Sequence, residues 1–139
     1  MQSDATGALV NWSAYSQARA ELGANFVRIL GYFKEDGVKS VSAIEQAARA
    51  QSAAAMVIPA HTLKGESRQF GADPLADLAE TIEMIARAAV EDHEPPLAAL
   101  EHVSKLRKLF ETTLELLERD ANPLVARRGG AGFGRRTAA

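Results

Sequence analysis

Residues 52–89 read SAAAMVIPAHTLKGESRQFGADPLADLAETIEMIARAA, and this stretch contains the signals for two helices and the turn that joins them. The serine that opens it is a favourable N-cap for a helix over residues 53–70. Gly71 is expected to end that helix, and Asp73 followed by Pro74 predicts the N-cap and first residue of the next one. The stretch therefore predicts a helical hairpin.

The first helix of this hairpin has a defined inward face but contains a proline. Pro59 lacks a backbone N–H and its ring clashes with the preceding turn, so it either bends the first turns or marks the true start of the helix. Small and apolar residues recur at spacings of four and three, which is typical of a buried helical stripe. These residues are Met56, Ala60, Leu63, Ser67 and Phe70.

Helical signals continue on both sides of the hairpin. A short helix is predicted over residues 12–22, and the apolar spacing that follows favours one long helix over residues 24–51. Gly37 would lie inside that long helix at a cost of about 1 kcal/mol relative to alanine. The alternative is a break at Gly37 and a new helix that begins with the capping box of Ser42 and Glu45.

A last helix over residues 96–119 completes the pattern. Four long amphipathic helices with short loops predict an all-α antiparallel four-helix bundle, with the short additional N-terminal helix as a lid at one end. The predicted domain organisation is a flexible N-terminus over residues 1–10, the helical bundle over 11–121 and a disordered, basic Gly/Arg tail over 122–139. The inward residues of the last helix are Val103, Leu106, Phe110, Leu114 and Leu117.

Composition and charge exclude several classes of protein. The 139 residues include no cysteine, which excludes disulfides, zinc–thiolate sites, iron–sulfur clusters and thiol nucleophiles. The net charge is −2, yet residues 122–139 carry four arginines and no acid, so the rest of the chain is acidic. An acidic body argues against nucleic-acid binding. With no signal peptide and no apolar run long enough to span a bilayer, we expect a cytoplasmic protein with no membrane partner.

One stripe of the hairpin carries unusual polar residues. His61, Lys64, Gly65 and Arg68 stand at i, i+3, i+4 and i+7, so they share one helical face. A glycine inside a helix costs about 0.5–1 kcal/mol relative to alanine. Gly65 lies one turn after the histidine, where a side chain would crowd the approach to the imidazole. The pattern indicates that another group comes close to the ring.

The residue types around His61 favour phosphoryl chemistry over other uses of an imidazole. A metal site would need further ligands at helical spacing, such as Glu-x-x-His or His-x-x-x-His, and the sequence has neither. The Gly-x-Ser-x-Gly motif of many hydrolases is also absent. Cations beside a histidine suit an anion, and a phosphorylated imidazole with a cation one turn away is the simplest interpretation.

The run AHTLKGESRQFGA at residues 60–72, followed by LADL at 75–78 and Ile82-Glu83, resembles the histidine-containing phosphotransfer (HPt) domain family of bacterial multistep phosphorelays. The resemblance implies that Nε2 of His61 accepts a phosphoryl group, that Lys64 helps to hold its oxygens and that Gly65 gives the partner room. Glu83 is expected to orient the imidazole, and Arg68 and Arg87 are further candidates for contact with the phosphoryl group. The implied site comprises His61, Lys64, Gly65, Arg68, Glu83 and Arg87.

The same resemblance implies the partners. These are the receiver domains of hybrid histidine kinases and of response regulators, which would bring their own Mg²⁺. This chain is expected to bind no cofactor or metal and to be a monomer. Because no Gly-x-x-x-x-Gly-Lys-[Ser/Thr] motif is present, it is expected to be a phosphocarrier without its own ATP-dependent kinase activity.

Two alternatives remain at this point. In the first, the chain is a non-catalytic helical adaptor that docks receiver domains without phosphotransfer, and His61 is incidental. In the second, which the missing ligand spacings disfavour, it is a metal-binding bundle. The chain also departs from the family pattern at Glu66, where a small residue is usual, and at Pro59. Glu66 is expected to place an anion near the site.

Overall fold

The structure is a computed structural model that describes residues 9–121, and these residues contain five α-helices, two short 3₁₀ turns and no strand. The all-α prediction is confirmed. Ion pairs show that neighbouring long helices run in opposite directions, since each pair joins a residue in the first half of one helix to a residue in the second half of its neighbour. The helices are α1 (Trp12–Leu22), α2 (Phe26–Arg49), α3 (Ala53–Gln69), α4 (Asp73–Asp92) and α5 (Leu100–Ala121), and the 3₁₀ turns are Gly23–Asn25 and Leu97–Ala99.

Helices α2 to α5 form the antiparallel bundle. Lys34 near the start of α2 pairs with Glu118 near the end of α5, at 3.4 Å. Glu45 near the end of α2 pairs with Arg107 near the start of α5, at 2.8 Å. The apolar stripes of the four helices meet inside and form one core. Every residue predicted to face inward on α3 and α5 is buried.

Helix α2 is continuous, so the long helix is confirmed over the broken alternative. Gly37 is buried in its middle, and a Cβ there would overlap the ring of Phe110 on α5. The glycine is therefore a packing notch for that ring rather than a helix break. Ser42 does not begin a new helix; its hydroxyl accepts a hydrogen bond from the Arg107 guanidinium at 3.2 Å.

Helix α3 begins before its proline. Ser52 is the N-cap, and its Oγ accepts a hydrogen bond from the backbone N–H of Ala55 at 3.2 Å. Pro59 therefore lies inside the helix and does not mark its start. The missing N–H of Pro59 leaves the carbonyl of Ala55 without its usual intrahelical donor. Because Ala55 is exposed, solvent can supply that donor.

Several predicted helix boundaries differ from the structure by one to four residues, and three of them have a clear physical reason. Ala72, not Asp73, is the N-cap of α4, because the carbonyl of Ala72 already accepts the hydrogen bond from the N–H of Ala76 at 2.9 Å. The last helix begins at Leu100 rather than at residue 96, since a 3₁₀ turn precedes it. That helix continues to Ala121, which is buried and still packs in the core.

Helix α1 closes one end of the bundle, as predicted for the lid. The N–H of Asn11 donates to the carbonyl of Gly71 at 2.7 Å, and the hydroxyl of Tyr15 donates to the carbonyl of Leu117 at 3.4 Å. Gly71 has a φ of +75°, and a Cβ on it would come within 2.6 Å of the Asn11 carbonyl. A glycine is therefore needed both for the turn and for the close approach of α1.

The packed chain starts earlier than predicted. Val10 is buried in the core and Leu9 packs against it, so the boundary placed after residue 10 falls within the folded part. The remaining residues of the predicted N-terminal segment and the predicted tail, 1–8 and 122–139, lie outside the described residues. Within residues 9–121, none of the helices has the length and apolar content needed to cross a membrane.

Candidate functional site

The seam between α3 and α4 brings His61 and Glu83 together. The antiparallel hairpin aligns the middle of α3 with the middle of α4, so that residues 22 positions apart become neighbours. The Nδ1 atom of His61 lies 3.0 Å from Oε2 of Glu83. The His61 side chain is 57% exposed, whereas that of Glu83 is only 6% exposed. A buried carboxylate thus supports an exposed imidazole.

Two cations complete the cluster around Glu83. The Nζ atom of Lys64 lies 2.9 Å from Oε1 of Glu83. Arg87, one turn further along α4, places Nε at 2.9 Å and Nη2 at 2.8 Å from Oε2. The structure therefore brings together His61, Lys64, Glu83 and Arg87, which are four of the six predicted site residues.

The protonation state of Glu83 determines which nitrogen of His61 carries the proton. Burial by itself would raise the pKa of Glu83, but the contacts from Lys64, Arg87 and His61 outweigh it and lower the pKa to about 2. At neutral pH the carboxylate is therefore ionised and can only accept hydrogen bonds. Nδ1 of His61 must then be the donor, and in the neutral imidazole the lone pair is on Nε2.

Gly65 leaves open surface beside the imidazole. It is exposed, and a Cβ built on it would have no described atom within 4 Å outside its own stretch of helix. Internal packing therefore does not require a glycine here, in contrast to Gly37, whose place is filled by Phe110. The prediction that Gly65 makes room for an external group is consistent with this geometry.

Arg68 belongs to a different cluster from His61. Its Nη2 atom lies 3.0 Å from Asp77 Oδ1 and 3.0 Å from Glu80 Oε1, both on α4. These acids lie one and two turns before Glu83 and attract the guanidinium towards the end of the seam. The prediction that Arg68 shares the stripe of His61 is correct, but the structure does not place it in the cluster around Glu83.

Glu66 does not face His61, contrary to expectation. It lies on the α2 side of α3, beside Asp36. Burial, followed by the repulsion and hydrogen bonding of Asp36, raises its pKa to about 7. Helical geometry would have revealed this placement, because five residues at 100° each turn Glu66 about 140° away from the histidine.

An apolar groove lies beside the cluster, and the sequence patterns did not predict it. It has a volume of about 820 Å³ and lies between the first half of α3 and the second half of α4. Ile58 is 67% exposed and Met84 is 63% exposed, and because both line this groove they form one exposed apolar patch. Ile58 is three residues before His61, and Met84 directly follows Glu83. Apolar residues this close to the predicted site residues were the signal in the sequence that could have indicated the groove. The groove is lined by Ala54, Val57, Ile58, Met84, Arg87, Ala88, Val90 and Glu91.

The other two histidines lie away from this cluster. His93 ends α4 in the left-handed conformation, with φ 56°, and His102 is on α5. In the part of the chain that the structure describes, no three His, Asp or Glu side chains are grouped closely enough to hold a metal ion.

Comparison with known families agrees with this geometry. The family model of the Hpt domain matches residues 28–120 of the chain. The chain belongs to the Hpt domain family. Membership assigns it to histidine phosphotransfer in phosphorelay signalling. No curated protein matches the chain. No solved structure matches it either.

The matched region of this HPt domain contains the whole cluster around Glu83. It starts after the first residues of α2 and ends before the last residue of α5, so it covers the bundle without α1. The resemblance inferred from residues 60–83 is therefore confirmed over the four long helices. The lid formed by α1 lies outside the matched residues.

Proposed function

We propose that this HPt domain accepts a phosphoryl group from the aspartate of a receiver domain onto Nε2 of His61. It then passes that group to the aspartate of another receiver domain. The observation that carries the proposal is the buried, ionised carboxylate of Glu83, which accepts the hydrogen bond of Nδ1 and leaves the lone pair of an exposed imidazole on Nε2.

The chemistry follows from that tautomer. The lone pair of Nε2 attacks the phosphorus of the aspartyl phosphate, a new N–P bond forms, and the P–O bond breaks with its electrons on the leaving carboxylate. The transition state is loose and spreads charge over the equatorial oxygens. Nδ1 keeps its proton throughout, held by Glu83. In the return step a carboxylate oxygen attacks the phosphorus, and the N–P electrons go back to Nε2.

Keeping the Nδ1 proton makes both directions accessible. A ring that carries a proton on Nδ1 leaves phosphorus as a neutral imidazole, which is a far better leaving group than an imidazolate. No proton has to move to or from the ring in either direction. A fixed hydrogen bond between His61 and Glu83 thus supports a carrier that must both take and give the same group.

Metal chemistry is assigned to the receiver domain. Both oxygens of Glu83 are already in contact with cationic or N–H groups, so the cluster attracts anions and repels Mg²⁺. A receiver would bring Mg²⁺ to stabilise the charge on the transferring phosphoryl group. Lys64, one turn from His61 on the same face, supplies positive charge from this side.

We place the docking surface for the receiver on the groove next to the cluster. The groove lies next to His61. Arg87 lines the groove and also contacts Glu83, the carboxylate that holds the imidazole. Exposed apolar patches of this kind mark interaction sites. A receiver with an apolar helix face would bury Ile58 and Met84 and pass over the open surface at Gly65, which brings its aspartate towards Nε2.

The test is transfer from labelled receivers. Wild-type protein incubated with a panel of ³²P-phosphorylated receiver domains is expected to gain acid-labile, alkali-stable label and to pass it to a second receiver. His61→Gln should gain none, and the matched control His102→Gln should behave as wild type. If receivers bind but none transfers label, the protein is a docking adaptor and the proposal fails. The same assay with ATP alone tests the absence of kinase activity, and label gained there would contradict it.

A further inference from the structure

The two oxygens of Glu83 have different closest partners. Oε2 lies 3.0 Å from Nδ1 of His61 and 2.8 and 2.9 Å from two nitrogens of Arg87. The closest contact of Lys64 is with the other oxygen, Oε1, at 2.9 Å. The contact that fixes the imidazole therefore shares its oxygen with Arg87 and not with Lys64.

Lys64 is within reach of both Glu83 and the outer side of His61. Only 24% of its side chain is exposed, but it lies one turn from His61 on the same helical face. A lysine ammonium is a point charge on a flexible four-carbon side chain, so it can rotate from one anion to another without needing a particular bidentate geometry. A phosphoryl group on Nε2 would bring a charge of about −1.5 to −2 to this face, which exceeds the single charge of Glu83.

If Lys64 were the only cation beside Glu83, its movement to the phosphoryl group would leave the buried carboxylate without a partner. Removing one partner from a buried charge leaves that charge uncompensated, which is strongly unfavourable. Arg87 prevents this, because it stays on Oε2 with two nitrogens when Lys64 leaves Oε1. Its planar guanidinium suits this task better than an ammonium would.

We propose that Arg87 is a positioning residue: it holds Glu83, and through it the Nδ1 proton of His61, while Lys64 moves its ammonium from Glu83 to the phosphoryl oxygens. This inference rests on the proposed function and deepens it. It also replaces the role expected from the sequence, in which Arg87 was a candidate for direct contact with the phosphoryl group.

The experiment uses phosphoramidate as the donor, so that no receiver domain is involved. Nε2 of His61 forms the new N–P bond, the P–N bond of phosphoramidate breaks and ammonia leaves. Proton positions on His61 are followed by ¹⁵N NMR of the full chain between pH 6 and 9, before and after phosphorylation. The variants are Arg87→Ala, Arg87→Lys, Lys64→Ala and the double variant. Arg68→Ala is the matched control, since it removes an exposed arginine of the same seam.

The expected pattern separates the two cations. After phosphorylation, Arg87→Ala should lose the Nδ1 proton about one pH unit lower than wild type, because Lys64 cannot serve Glu83 and the phosphoryl group together. Lys64→Ala should keep that proton as wild type does but lose its phosphoryl group faster. Arg87→Lys should recover part of the shift, and Arg68→Ala should show none.

The unphosphorylated protein gives an independent reading. Each single variant should keep the Nδ1–H tautomer, since one cation remains on Glu83, and the double variant should lose it. The proposal is overturned if phosphorylated Arg87→Ala keeps its Nδ1 proton as wild type does, or if Lys64→Ala loses the tautomer without phosphorylation. Failure of the proposed function looks different: wild-type His61 would take label from phosphoramidate but from no receiver domain.

Discussion

Glu83 on α4 accepts a hydrogen bond from Nδ1 of His61 on α3 at 3.0 Å, and its carboxylate is almost fully buried. The proposed nucleophile, His61, is therefore held from a second helix. The relationship orients the ring and assigns the proton to Nδ1, so that Nε2 is available for attack.

Glu83→Gln should weaken phosphotransfer and change the acid stability. A neutral amide is a weaker acceptor than a carboxylate, so we expect phosphorylation of His61 to slow about tenfold or more. The lowered pKa of Glu83 means that its ionised form stabilises the fold above the unfolded pKa of 4.5, and this stability is lost as pH falls towards 2. Urea unfolding at pH 7 and pH 3 should show a smaller acid loss in Glu83→Gln, with the exposed Glu115→Gln as the control.

Gly65→Ala and Gly37→Ala should change stability in opposite directions. Alanine is the better helix former by about 1 kcal/mol, and nothing obstructs a methyl group at Gly65, so this variant should be slightly more stable than wild type. At Gly37 the same methyl group would overlap Phe110, and overpacking of this kind costs about 1–3 kcal/mol. Thermal and urea unfolding of the two variants would contradict this interpretation if both changes had the same sign.

Gly65→Gln should leave the bundle folded and impair its interaction with receivers. The glutamine side chain would rise from the open surface one turn after His61. Transfer needs in-line geometry, and a displacement of about 1 Å can cost roughly 100-fold in rate. We expect receiver affinity and transfer rate to fall together, whereas phosphoramidate, being small, should still label His61. Wild-type transfer by this variant would show that Gly65 does not make room for a partner.

Charged residues in the apolar groove should reduce docking. Ile58→Glu and Met84→Glu each place a carboxylate on a surface that we expect a receiver to bury. We expect each to cost about 1–2 kcal/mol, roughly five- to thirtyfold in affinity. Val38→Glu on α2 is the matched control, because Val38 is also an exposed apolar residue but lies on a different helix from the groove. Titration calorimetry with a phosphoacceptor receiver measures all three. Equal effects in all three variants would place the docking surface elsewhere.

Glu66→Gln should remove a pH dependence of stability near neutrality. Burial and the neighbouring Asp36 raise the pKa of Glu66 to about 7, above its unfolded value of 4.5. The folded state therefore holds the proton more tightly, and the stability this gives is lost as pH rises from about 4.5 through 7. Unfolding midpoints from pH 4 to pH 8 should fall less in Glu66→Gln than in wild type. The exposed Glu115→Gln should follow wild type.

Local sequence was enough to predict the helices and to propose His61 as the nucleophile. The spacing of apolar residues fixes which side of each helix is buried, and for α3 and α5 the predicted inward residues are the ones that pack in the core. His61, Lys64 and Gly65 share a face because 3.6 residues make one turn, whatever the remainder of the chain does. These inferences need only neighbours along the chain.

Relationships between helices were not accessible in the same way. The sequence favoured an unbroken α2 but gave no reason for a glycine inside it, and that reason is Phe110, 73 positions away, whose ring occupies the space of a side chain. Arg68 and Arg87 both looked like cations for a phosphoryl group. Only the alignment of α3 with α4 shows that Arg68 pairs with Asp77 and Glu80, whereas Arg87 pairs with Glu83.

Short-range patterns along the chain thus predicted a helical bundle and singled out His61 as the candidate phosphoryl acceptor. The resemblance to the HPt family implied that Glu83 orients the imidazole, but only the packed helices show that contact at 3.0 Å and bring Lys64 and Arg87 onto the same carboxylate. A helix face follows from a repeat that every residue shares, but a contact across a seam depends on the register of two helices. That register is set by the packing of the whole core, and a shift of one turn, about 5.4 Å, would separate Glu83 from His61.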